Sequence, residues 1–203
     1  RKVKETGGGK EDAGRGWDRS KAEMRRRALE KISKDKPWVI VGSAACTDWS
    51  TMMNSNWLRM SSEEKAKRMK EARMHTRFCV KVYKHESEAG RYFVHEHPQH
   101  ASPWHEPEMK QMLRREGNIL AGIDQCQYGL LIEDNYGWAL AKEPTRSLTN
   151  PVGTAQGLQK TCPGKNTHPE QRHAVPFGGG SKKAQVYPCL VYPSDAADYP
   201  SCV

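Results

Sequence analysis

Two strand-like segments of this chain each lead into a residue able to react or to hold a proton. Val39-Ile40-Val41 stops at Gly42-Ser43, and Cys46 follows; Arg91-Tyr92-Phe93-Val94-His95 runs into Glu96-His97-Pro98. The thiolate is the reactive form of cysteine, and a strand-to-loop position exposes it. A carboxyl group can hold or donate a proton at a ring nitrogen as a thiolate adds to that ring. If the two strands are neighbours in a parallel sheet, Cys46 and Glu96 face one crevice at its carboxyl edge, where such sheets gather function. In extended chain, His95 and His97 point to the face opposite Glu96. The alternative is a buried structural cysteine and a carboxylate paired with a histidine.

A second group is Cys126, Cys162, His168 and His173, all types that bind zinc. Cys162-x5-His168-x4-His173 forms a local cluster but matches no common zinc spacing, and loop histidines beside prolines are ordinarily just exposed. Trp49, Trp57 and Trp104 lie near the expected crevice, either as stacking surfaces for bases or as loop anchors. The six cysteines include no CxxC pair, which fits reduced thiols in an intracellular compartment, nuclear or cytoplasmic.

These residues need elements to position them. A helix is expected from a Ser20 cap to about Lys34, ended by Pro37, with a buried strand over Trp38–Gly42. Ser61 and Glu64 have capping-box spacing ahead of a long helix that Gly90 stops. Further expectations are a strand at 91–95, a helix from Pro107 to about Arg115, and strands at 119–123 and 138–142. Strand, helix, strand, helix, strand is the rhythm of a parallel sheet with crossover helices, so the fold class is α/β. Residues 143–180, rich in proline, glycine and histidine, read as loops with one short helix. The expected division is a flexible basic arm at 1–16, an α/β domain at 17–145 and an irregular extension of that domain at 146–203.

The chain carries a net charge of +9. Residues 1–36 hold a surplus of six cations and the rest a surplus of three. A basic front end, Arg25-Arg26-Arg27 included, suits contact with phosphates; equally it suits a solvated arm. No apolar stretch approaches the roughly 20 residues that cross a bilayer, so no membrane partner is expected. The start at Arg1 reads as that of a fragment.

"GSAACTDWS" (42–50) resembles the Pro-Pro-Cys loop of cytosine-5 DNA methyltransferases, and "YFVHEHP" (92–98) resembles the strand bearing that family's carboxylate. The likeness is nearer to a divergent group known from phages and retroelement polyproteins. It extends through Gly16-Trp17-Asp18, Cys126-Gln127-Tyr128-Gly129, Lys142-Glu143-Pro144-Thr145, Asn150, Cys162 and His168, in that order.

The resemblance implies a partial Rossmann-like methyltransferase sheet followed by an irregular part containing the Cys/His cluster. Cys46 would add to carbon 6 of cytosine in DNA, Glu96 would hold ring nitrogen 3, and S-adenosylmethionine would be the small-molecule methyl donor. The base would be extruded from the duplex, with basic side chains on the backbone.

Three departures stand against this. Glu143 separates Lys142 from Pro144, interrupting the Lys-Pro-Thr segment of that group. Ala44-Ala45 replaces the proline pair that preorganises the turn. No strand leads into a glycine-rich turn for the adenosyl donor, which places the family's cofactor half upstream of Arg1 or lost, with Asp18 as its one remnant. The rival expectation is therefore a catalytically dead nucleic-acid-binding or retroelement-derived domain, zinc-stabilised if the cluster is a site. A thiol hydrolase using Cys46 with His95 or His97 ranks last, because nothing orients the histidine.

Overall fold

A computed structural model of the chain describes residues 21–43, 47–49, 57–164 and 172–175. Asp18, Cys46 and His168 lie outside the described residues. Among the described residues the fold is mixed α/β, with one four-stranded and one three-stranded sheet.

Helix α1 (Ala22–Asp35) leads to strand β1 (Val39–Ser43), and a short 3-10 turn follows at Thr47–Trp49. Helix α2 (Ser62–Glu88) opens where the sequence sets its cap, with the Ser61 hydroxyl accepting the Glu64 amide at 3.1 Å. Beyond α2, Gly90 takes a positive φ of 70°, open to glycine at little cost, and the chain turns into β2 (Tyr92–Pro98). Helix α3 (Pro107–Arg114) and β3 (Ile119–Asp124) complete the expected alternation.

The sheet departs from the expected parallel form. Its order is β1, β2, β6, β3, where β6 is Pro144–Thr149. Strands β1 and β2 are parallel, and β6 runs antiparallel to both β2 and β3. A segment read as loop is thus an interior strand of the main sheet. Its sequence, Pro-Thr-Arg-Ser-Leu-Thr, lacks the apolar run that marks a buried strand, and it begins at a proline. The hairpin of β4 (Leu131–Asp134) and β5 (Gly137–Ala141) fills the connection from β3 to β6. After β6, helix α4 (Val152–Leu158) leads to β7 (His173–Ala174), which pairs in parallel with β5.

Residue alternation sorts the main sheet into two faces. One carries Ile40, Phe93 and Leu148 into the larger core, with Ile32 of α1, Val80 and Tyr83 of α2, and Met109 and Met112 of α3. The other carries Val94, Ala121 and Ile123 against Tyr128 and Leu158 of α4, with Val39 at its margin. Among the described residues β1 is an edge strand rather than a buried one: Ile40 is buried, while Trp38 before it is 67% exposed and Val41 46%.

Candidate functional site

The parallel register of β1 and β2 sets Ser43 beside Glu96, at the carboxyl ends of both strands. The Ser43 hydroxyl donates to Glu96 Oε2 at 3.0 Å. Across the sheet Glu96 stands opposite Ser147 of β6. A polar row, Ser43–Glu96–Ser147, therefore crosses three adjacent strands on the face that also carries Val39, Val94, Ala121 and Ile123, with Thr145 and Thr149 of β6. Glu96 and Ser147 are buried and Ser43 is exposed, so the row opens toward the β1 edge.

Glu143, just ahead of β6, adds a second carboxyl group. Burial pushes it up to about 7, and the negative charge of Glu96 pushes the same way. Near neutrality the Glu143 carboxyl group therefore readily keeps a proton. In sequence, Glu143 had stood only as the residue interrupting Lys-Pro-Thr. Ser43, Glu143 and Ser147 carry no signal by themselves; the β1–β2 register brings Ser43 to Glu96, and the β2–β6 register brings Ser147.

Cys46 follows Ser43 by three positions and lies outside the described residues. What brackets it is defined. The Asp48 carboxylate meets the Arg68 guanidinium of α2 at 2.6 Å, and Trp49 is buried at 4% exposure. Trp49 therefore anchors the turn, and offers no open face on which a base could stack. Trp104 is likewise buried, its Nε1 donating to Pro98 O at 2.9 Å. Trp57 lies near the cations of Lys65 and Arg68, each 5.7 Å from its ring centre.

The expected facing of the histidines holds. His95 and His97 are fully buried behind the sheet, stacked 5.9 Å apart with Trp104 edge-on to both. The Tyr83 hydroxyl lies 2.9 Å from His95 Nδ1. Burial pushes His95 down to about 3 and His97 down to about 4, so both are neutral at pH 7. Facing away from the polar row, they serve the core.

Of the arginines on α1, Arg26 is held by Glu23 at 2.7 Å and Glu30 at 2.5 Å. Arg25 and Arg27 sit on the same helix, Arg27 exposed and Arg25 half-buried. A phosphate approaching Arg26 competes with two carboxylates.

At the far end of β3, Cys126, Cys162 and His173 converge, each offering a ligand atom within 4.8 Å of the others. These three could hold a metal ion. Burial pushes the Cys126 thiol up to about 11, and Cys162 beside it pushes further in that direction.

Among the described residues no helix is long and apolar enough to cross a membrane. Comparison with protein-family models, with curated proteins and with solved structures gave no match.

Proposed function

We propose that this chain is a cytosine-5 DNA methyltransferase-like domain carrying the pyrimidine side of the reaction, with Cys46 as nucleophile and Glu96 as the carboxyl group that binds the ring. The observation that carries the reading is the Ser43–Glu96 hydrogen bond between adjacent parallel strand ends. It sets the carboxyl group beside the segment that leads directly into Cys46. The sheet adds support: a strand–helix–strand crossover joins the parallel strands β1 and β2, as the resemblance implies.

The described residues do not fit S-adenosylmethionine. Among them no strand ends in a glycine-rich turn, and a β-carbon at Gly42 would lie 2.1 Å from the Tyr83 hydroxyl, so that glycine serves packing. The adenosyl donor therefore enters no step here, and the chain by itself is read as inactive in methyl transfer.

What these residues can do is activate the base. The Cys46 thiolate forms a bond to carbon 6 of an extruded cytosine as the C5=C6 electron pair moves toward ring nitrogen 3. Protonated Glu96 donates to that nitrogen, with Ser43 holding the carboxyl group in place. Carbon 5 of the adduct becomes nucleophilic and takes a proton from water. Loss of the original C5 proton to water, return of the N3 proton to Glu96 and expulsion of the thiolate restore cytosine, with hydrogen exchanged and no net chemistry.

Exchange needs no methyl donor, which makes it the test. Single-stranded and duplex DNA bearing tritium at cytosine C5 should release label to water with this protein. Cys46→Ser should abolish the release and Glu96→Gln should lower it by about 10²-fold or more. Release equal to that of Cys46→Ser would reject the reading. DNA binding without release would instead favour the rival, an inert retroelement-derived nucleic-acid-binding domain. Ala44-Ala45 in place of the proline pair is the feature favouring that rival.

A further inference from the structure

We propose that Cys126, Cys162 and His173 bind a zinc ion that staples the small sheet to the end of the main one. The inference is independent of the chemistry assigned to the Glu96 crevice.

Three separate segments deliver the three donors. Cys126 sits in the 3-10 turn Gln125–Tyr128 that follows β3, Cys162 follows α4, and His173 is one of the two residues of β7. Sequence separations of this size give no reason for close approach, yet the ligand atoms lie within 4.8 Å of one another. Cys162 Sγ and His173 Nε2 are 3.5 Å apart.

Each donor is fixed by backbone contacts that do not involve the other two. The amide of Cys162 donates to Asp124 Oδ2 at 2.6 Å, and Asp124 N donates to Lys160 O at 2.8 Å. His173 is held in register opposite Leu140, with Leu140 N donating to Arg172 O and Lys142 N to Ala174 O. Arg172 is clamped by both Asp134 oxygens. The turn after Cys126 closes through Gly129 N to Cys126 O at 3.1 Å. Donors held this way are preorganised, which is what metal binding asks of its ligands.

The surroundings of Cys162 point the same way. Gly164, at φ +89°, turns its amide back to donate to Cys162 Sγ at 3.4 Å. Cys162 Sγ in turn donates to Gly164 O at 3.9 Å, so this turn holds the sulfur in place from both sides. Two thiolates and an imidazole are the donor set of zinc rather than of calcium or magnesium. Two thiolates also cancel the charge of the ion, leaving the half-buried centre neutral.

The small sheet has reason to need such a staple. Its core is Leu130, Ile132, Ala139, Ala141 and Ala174, three of the five being alanines. A strand of two residues resting on methyl groups gains little from burial. Bonds from His173 to an ion shared with Cys126 and Cys162 would tie β7 directly to β3 and to the segment after α4.

The experiment uses the full chain, purified reduced and without added chelator. One equivalent of zinc per chain is expected by elemental analysis. After removal and replacement by cobalt(II), a thiolate-to-cobalt charge-transfer band of two-sulfur intensity and, with water as the fourth ligand, visible bands of tetrahedral cobalt should appear. Cys126→Ser, Cys162→Ser and His173→Ala should each weaken zinc binding by at least about tenfold. Cys79→Ala, in the main core on α2, should leave the bands in place. Because a cysteine variant can fail to fold, the wild-type chain is also melted with and without chelator, and metal removal should lower its midpoint. Absence of retained zinc together with absence of a cobalt–thiolate band in the reduced wild type overturns the proposal. So do bands that persist in both Cys126→Ser and Cys162→Ser, since the ion would then sit on other residues.

Discussion

The Tyr83 hydroxyl occupies the space that a β-carbon at Gly42 would need: the two would stand 2.1 Å apart. That oxygen is also the hydrogen-bond partner of His95 Nδ1, so Tyr83 of α2 packs against the sheet where β1 has no side chain to oppose it. Gly42→Ala should destabilise the fold by about 2 kcal/mol through overpacking. In a Tyr83→Phe background the same change should cost roughly half as much, because the ring carbon Cζ remains at 3.1 Å after the oxygen is gone. Denaturant melts of the four proteins measure the coupling, and strict additivity would reject the contact.

Acidification should weaken this protein in a range where surface histidines alone would change little. His95 falls from its ordinary 6.5 to about 3 and His97 to about 4, chiefly through burial. The unfolded chain therefore binds protons at both between pH 6.5 and 4, and their stabilising effect, complete above 6.5, is lost as the pH falls. Glu143 opposes them. Its carboxyl group rises from 4.5 to about 7, so its contribution is complete below 4.5 and lost as the pH rises toward 7. Near pH 5.5 the balance is about one proton, or ~1.4 kcal/mol per pH unit. Glu143→Gln should make the acid-side slope roughly twice as steep. Urea unfolding at several pH values decides this; a flat profile in both proteins would contradict it.

Glu86 is completely buried at the end of α2 and receives two hydrogen bonds from Arg91, at 2.6 and 2.7 Å. Arg91→Ala should cost about 3 kcal/mol, because it strands a buried carboxylate. Glu86→Gln should cost less, since a neutral amide tolerates burial better than an unpaired charge. Equal losses in thermal or denaturant melts would mean that the pair contributes through packing alone.

Asn150 completes the sheet with its side chain. Its Oδ1 accepts the Phe93 amide at 3.0 Å and its Nδ2 donates to Arg91 O at 2.9 Å, extending the β2–β6 ladder by one step. Asn150→Ala should cost about 1–2 kcal/mol. Asn150→Asp should be no better, because the carboxylate faces the Arg91 carbonyl with no donor to offer it. A neutral result for Asn150→Asp, read by equilibrium unfolding, would show that the second bond is dispensable.

The helices and the first three strands were legible because their signals are local. Ser61 with Glu64, the stop at Gly90 and the apolar runs at 92–94 and 119–123 each report on a few neighbouring residues. Strand β6 was not legible, since Thr145, Ser147 and Thr149 are polar residues buried by partners more than twenty positions away. For the same reason Glu96 could be picked out from its strand end, whereas Ser43, Ser147 and Glu143 could not. The Cys126–Cys162–His173 cluster was visible as residue types, but its spacing fits no familiar pattern. Only the pairing of β7 with β5 explains why His173 arrives there.

The place of β6 also orders events during synthesis. Strands β2 and β3 are made first, but they are not neighbours; each pairs with β6, whose last residue is Thr149. Until that residue has left the ribosome, the sheet exists as two separate edges, and Val94, Ala121 and Ile123 have no continuous surface to build on. A nascent chain halted near residue 143 would therefore hold its long helices without a closed sheet, and engagement of β6 would be the step that commits the domain to its fold.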